Sequence, residues 1–222
     1  MKLTDGILQL LFPEKCVLCR KVLKKDELDL CHSCRTDVPE FRTSRKKLPF
    51  LDNWVAVWYY EKDPRKSLLR YKFGRRRSYA QSYGRLLSMR LLEEYPDGFD
   101  LLTWVPTGWF KRLTRGFDQC ELLALAVGKE LGIQPQQVIR KIRSNKTQST
   151  IRGEAKRRAN VLGVYKVIEP ELVKDKRVLL LDDIITTGAT AGECARILLT
   201  AGASEVHCGA VAAARHQAKS SR

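Results

Sequence analysis

The sequence predicts an α/β fold, a parallel sheet flanked by helices, with a small cysteine-rich segment ahead of it. Three observations carry that expectation. Strand-like apolar runs at residues 54–60, 100–106, 177–181 and 206–213 are separated by stretches of helical period. The last two runs enclose a turn and a helix at 191–200, and strand, turn, helix and strand in that order form a βαβ unit, which makes the sheet parallel. Four of the seven cysteines fall within residues 16–34, before any of these elements.

Residues 1–12 are mildly amphipathic through Leu3, Ile7, Leu8, Leu10, Leu11 and Phe12. That pattern suits packing on the protein or peripheral contact with a lipid surface. It lacks the order of a secretory signal, and the chain holds no run of eighteen apolar residues that would make a membrane-spanning helix. Cys16 and Cys19 form one C-x-x-C knuckle and Cys31 and Cys34 a second, with eleven residues between the two. Two such knuckles supply the four soft ligands of a tetrahedral zinc, and an all-sulfur set leaves no place for a reacting water, so the site is structural. His32 stands between two ligands as an alternative donor, and a redox-active pair is the competing reading of a single knuckle. The clustering argues for a metal in a reducing compartment rather than a disulfide framework, which points to the cytoplasm. The expected division is a zinc-ribbon segment at 1–50 and one larger domain at 51–222.

Within the larger domain, residues 54–60 combine aromatic and β-branched residues as a strand does. Residues 64–90 read as helical pieces interrupted at Gly74 and Gly84. The strand at 100–106 is ended by its proline. A helix at 117–131 follows, with Cys120, Leu123, Ala124, Val127 and Leu131 on one face and Gly132 as its stop. Residues 140–158 are polar and basic, a long connection or an exposed helix.

The chain carries 41 Lys and Arg against 25 Asp and Glu, a net charge of +16. Such an excess favours polyanionic partners: nucleic acid, phosphorylated small molecules or acidic lipid. The run 178–181 ends in Asp182 and Asp183, and Ile184, Ile185, Thr186, Thr187, Gly188, Ala189 and Thr190 lead from them into the helix. Ligands bind at the carboxyl ends of parallel strands. A helix N-terminus offers free N–H groups to a phosphate, and Gly188 admits close backbone approach. Paired acids accept hydrogen bonds from a ribose diol, so the combination suits a sugar phosphate. No Walker-type motif is present. After the second strand, Pro106, Thr107, Lys111, Arg112 and Arg115 make a basic turn able to grip a pyrophosphate.

The loop from Asp182 to Thr190 resembles that of the type I phosphoribosyltransferases. That resemblance implies that the paired acids hold the ribose hydroxyls and the Thr-Thr-Gly turn the 5′-phosphate of phosphoribosyl pyrophosphate (PRPP), carried with Mg²⁺, on a sheet of about five strands. Taken with the four-cysteine ribbon, Tyr71 to Gly74, Pro106 with Arg115 to Gln119, and Gln148 with Arg158 to Asn160, the whole resembles the ComF family of competence-associated proteins. The fold class is therefore expected to be α/β, a type I phosphoribosyltransferase-like parallel sheet flanked by helices, with a small N-terminal zinc ribbon. Membership implies a role in DNA uptake during natural transformation, imported single-stranded DNA, and a helicase-like partner. Asp118 departs from the usual Asn and puts an extra acid beside the expected pyrophosphate site. Arg70, Lys72, Arg75, Arg76, Arg77, Arg157 and Arg158 are the nucleic-acid candidates. Tyr71, Phe73 and Tyr79 either stack bases between them or belong to the core. An active transferase, with Asp182 and Asp183 as catalytic acids and an unreadable acceptor, and a catalytically silent scaffold are the competing readings.

Overall fold

The structure is a computed structural model and describes residues 13–42, 47–74, 76–143 and 154–215. The N-terminal amphipathic stretch, Arg75 and Gln148 lie outside the described residues. The elements in chain order are α1 (His32–Asp37), β1 (Asn53–Tyr59), α2 (Lys62–Phe73), α3 (Tyr79–Glu94), β2 (Leu101–Trp104), α4 (Trp109–Arg115) and α5 (Gln119–Leu131). Then come β3 (Ile139–Lys141), α6 (Glu154–Val161), β4 (Tyr165–Val167), α7 (Pro170–Val173), β5 (Arg177–Ile185), α8 (Ala189–Thr200) and β6 (Glu205–Ala213).

A four-stranded parallel sheet in the order β1-β6-β5-β2 forms the centre. The expectation of about five strands is corrected here, because β3 and β4 pair antiparallel as a separate ribbon. Residues of one strand alternate between two apolar layers, as side chains of period two must. Val55, Val57, Leu179, Leu181 and Val211 enter the layer under α3 and α5. Trp54, Ala56, Val178, Leu180 and Ala210 enter the layer under α8. Both faces are covered, which explains why β5 and β6 read as continuous apolar runs.

The helices follow their apolar spacing. α2 buries Pro64, Ser67, Leu68 and Tyr71, positions separated by three and four residues. Gly74 ends it, as expected. Gly84 does not interrupt anything: it sits inside α3, where a Cβ would fall 2.5 Å from that of Ala126, so its lack of a side chain lets α3 and α5 approach. α5 starts at Gln119 rather than 117 because Asp118 caps it. β5 runs four residues beyond the expected 181, so both acids are strand residues. Among the described residues no helix is long and apolar enough to cross a membrane.

Candidate functional site

Asp182 and Asp183 stand toward the carboxyl end of β5 and open onto a cleft of about 470 Å³, within the size range of small-molecule sites. Asp183 is buried, and the ammonium of Lys72 donates to its Oδ1 at 2.8 Å. Its other oxygen, Oδ2, has no hydrogen-bond partner among the described residues. Asp182 Oδ1 accepts from the Asp183 N–H at 2.8 Å and faces the Cys120 thiol at 3.8 Å. Burial and the charge on Asp183 push the Asp182 carboxyl up to about 7, and Lys72 pulls in the opposite sense. The Cys120 thiol, wholly buried beside these acids, is pushed well above its usual range by that burial.

Beyond β5 the chain turns through Gly188, whose φ is +76°. A Cβ there would meet Leu48 Cδ2 at 2.6 Å, so both backbone and neighbour require glycine. Asp182 and residues 184–191 line a hollow of about 20 Å³ at the N-terminus of α8. Ile184, Ile185, Thr186, Thr187, Gly188, Ala189 and Thr190 are thus brought together around one helix end, a position whose backbone N–H groups suit an anion. Ile184, Thr186 and Thr190 also reach the larger cleft.

The facing wall comes from the chain after β2. Pro106, Thr107 and Arg115 line the cleft. Asp118 holds this wall in place. It is buried, accepts from Cys120 N at 2.9 Å and Glu121 N at 3.3 Å as the cap of α5, and takes the Thr107 N–H at 2.7 Å and hydroxyl at 3.0 Å. Four donors thus satisfy its oxygens, and its place in the fold is that of a helix cap that also ties down the turn at Thr107. Arg112 turns to Glu121 at 3.4 Å and is absent from the cleft lining. The Lys111 side chain lies outside the described residues.

Sequence reasoning missed much of the remaining wall: Tyr60, Arg65 and Leu69 before the acids, and Lys141 and Tyr165 from β3 and β4. The run 140–158 contains one of these, but nothing local marks Lys141 as paired with Tyr165 across an antiparallel ribbon. The nucleic-acid candidates divide. Arg70 donates from Nη2 to the carbonyls of Val17, at 3.3 Å, and Leu18, so it joins α2 to the ribbon segment. Lys72 belongs to the acids. Arg77 donates to Gly116 O at 2.6 Å and lies over Phe117, its Cζ 5.3 Å from the ring centroid. Arg76 is exposed and Arg157 lines the cleft. Arg75 and the side chain of Arg158 lie outside the described residues.

In the N-terminal segment the sulfurs of Cys16, Cys19, Cys31 and Cys34 all lie within 4.8 Å of one another, Cys19 and Cys31 at 3.5 Å. A tetrahedron of zinc–sulfur bonds separates its corners by about 3.8 Å, so the set fits zinc. His32 is exposed and outside this cluster, and four converging sulfurs do not divide into a single redox pair. Burial and the neighbouring sulfurs push the Cys34 thiol far up. The segment docks on the larger domain through Arg85, which grips the Asp29 carboxylate with two N–H groups, one at 2.8 Å.

Residues 119–222 match the phosphoribosyl transferase domain family, and residues 7–45 match the double zinc ribbon domain family. Curated relatives cover most of the chain. DNA utilization protein YhgH of Escherichia coli O157:H7 is 29% identical over 206 residues, 86% of each chain. Competence protein F of Haemophilus influenzae is 23% identical over 221 residues, 88% of this chain and 95% of the relative. Competence protein ComFC of Bacillus subtilis is 26% identical over 196 residues, 84% and 78%. Among solved structures, glutamine PRPP amidotransferase from B. subtilis aligns at 25% identity with a TM-score of 0.42, covering 60% of this chain and 26% of that one.

A parallel sheet ending in paired acids, with a four-cysteine centre docked beside it, defines a phosphoribosyltransferase-type protein with a zinc ribbon. Along most of its length the chain is similar to competence proteins of the ComF type.

Proposed function

We propose that this chain serves DNA uptake or utilisation, binds PRPP or a related sugar phosphate at residues 182–190, and handles single-stranded DNA along the adjoining basic surface. The observation that carries the reading is the cleft itself: two acids at a strand end, one neutralised by Lys72, beside a glycine-turned helix N-terminus. In this reading the carboxylates accept from the ribose hydroxyls, the α8 N-terminus with Thr186, Thr187 and Thr190 takes the 5′-phosphate, and Arg115 faces the pyrophosphate. Asp183 Oδ2, buried and unpartnered among the described residues, is the acceptor waiting for such a donor. Mg²⁺ carried with PRPP would neutralise charge on its pyrophosphate. The names of the relatives support the competence and DNA context. Four sulfurs poised for zinc and three further buried thiols fit the reducing cytoplasm. A helicase-like protein is the expected partner.

A second reading, phosphoribosyl transfer to an acceptor, is favoured by the same pair of acids. Held against the ribose, they stabilise positive charge developing at the anomeric carbon as pyrophosphate leaves. A catalytically silent scaffold is the remaining alternative. Calorimetric titration of the zinc-loaded protein with PRPP and Mg²⁺ tests the site. Wild type binds and Asp182→Ala with Asp183→Ala does not. Single-stranded DNA binding, measured in parallel, falls steeply with salt and survives the double substitution. Absence of PRPP binding by wild type overturns the sugar-phosphate reading. Equal loss of both ligands in the variant overturns the separation of the two sites.

A further inference from the structure

Of the three aromatic residues in the basic stretch of α2 and α3, two are accounted for by the fold. Tyr71 is fully buried and donates its hydroxyl to Gln119 O at 2.7 Å. Tyr79 is half-buried, edge-on to Tyr83 with ring centroids 6.1 Å apart. Phe73 is different: it is 66% exposed at the last position of α2, and it lines the cleft. The hydrophobic effect gives no reason for a phenyl ring to remain there in water.

The ring is nonetheless braced. The Arg115 guanidinium lies over it, Cζ 5.0 Å from the centroid, and Arg115 is itself fixed by donating to Gln119 Oε1 at 2.7 Å. A cation held against one face leaves the other for a flat ligand. Leu69, one turn earlier on the same helix, continues the apolar wall, and Arg65 a further turn back adds positive charge. Thr186 and Thr190 of the phosphate loop line the same cleft. A bare sugar phosphate satisfies the loop and leaves the Phe73–Leu69 wall in water. A sugar phosphate bearing a planar ring covers both.

We propose that Phe73 is a base-stacking platform, and that the cleft takes a nucleoside 5′-phosphate with its ring on Phe73 and its phosphate at the loop. The inference rests on the sugar-phosphate reading of residues 182–190. Two sources share this chemistry, a free nucleotide and the 5′-phosphorylated end of a single strand.

The test compares ligands that differ by one part, titrated into the full zinc-loaded chain. Uridine 5′-monophosphate is expected to bind about 5- to 150-fold tighter than ribose 5-phosphate, the range of one base–aromatic stack. Phe73→Ala brings that ratio close to one, and Phe73→Tyr keeps it. The residue is exposed, so the fold tolerates both changes. A thymidine tetranucleotide with a 5′-phosphate, binding more tightly than the same strand without it, identifies strand ends as the ligand. Binding of the mononucleotide alone identifies a free nucleotide. If ribose 5-phosphate and PRPP bind but the mononucleotide has no advantage, or its advantage survives Phe73→Ala, the stacking platform is overturned by itself. If none of the phosphates binds, the sugar-phosphate reading fails and the platform with it.

Discussion

Replacing Asp182 with asparagine should stabilise the protein at pH 8 while weakening the site. The Asp182 carboxyl is pushed up to about 7 by burial and by Asp183, whereas in the unfolded chain it returns to about 4. Between those values the folded state holds a proton that the unfolded state has lost. Its contribution is therefore fully present below pH 4 and is lost as pH rises through 7. Three units correspond to about 4 kcal/mol, an upper limit that relaxation of the cleft reduces to about 1–3 kcal/mol. Asparagine keeps an oxygen for the Asp183 N–H, now accepted at 2.8 Å, and carries no charge to repel Asp183. Urea denaturation at pH 5, 6, 7 and 8 checks this. Wild type should lose stability relative to Asp182→Asn across that range, and the variant should be the more stable at pH 8. A variant less stable at pH 8, or a difference that does not change with pH, refutes the claim that charge at Asp182 is held against a folding penalty. Loss of PRPP affinity in the more stable variant is the trade expected where a site keeps strain for function.

Metal analysis of purified protein should give one zinc per chain, since the described residues bring together one set of four cysteines within the double-ribbon match; two would refute the assignment. Chelation should lower the melting temperature of the whole domain, because Val17 and Leu18 lie in the same apolar layer as Leu68 and Tyr83. Asp118→Ala should cost about 2–4 kcal/mol in urea denaturation, combining a lost helix cap with the stranded Thr107 N–H. Asp118→Asn, which keeps an acceptor oxygen, should cost less than half of that.

What was legible in the sequence was what is local. The apolar run, the acids and the glycine turn occupy thirteen consecutive residues, 178–190, and the structure places them as strand, hollow and helix start. The knuckles were legible for the same reason. Long-range pairing was not: Lys72 meets Asp183 across 111 residues, and no spacing announces it. Gly84 resembled a break because its reason, Ala126, lies on another helix. Asp118 was readable in principle, since an acid immediately before a helical period is a cap signal. Its position beside the basic turn makes its charge the more conspicuous feature.

The total charge does not say where each cation is used, and α2 shows why. Its buried stripe, Pro64, Ser67, Leu68 and Tyr71, faces the core, while Arg65, Leu69, Lys72 and Phe73 face the cleft. Ser67 and Arg70 take the carbonyls that the Cys16–Cys19 knuckle presents, and Ser67 also meets the Tyr83 hydroxyl at 2.7 Å. One twelve-residue helix thus rests on the Cys16–Cys19 turn on one side and delivers an ammonium and a phenyl ring to the cleft on the other. The two basic residues of this helix that most resembled a strand-binding surface are spent inside the protein. Arg70 locks the helix to the ribbon, and Lys72 neutralises Asp183, the buried member of a pair of adjacent acids. A zinc held by the four cysteines would, without touching the cleft, brace the turn on which this helix rests.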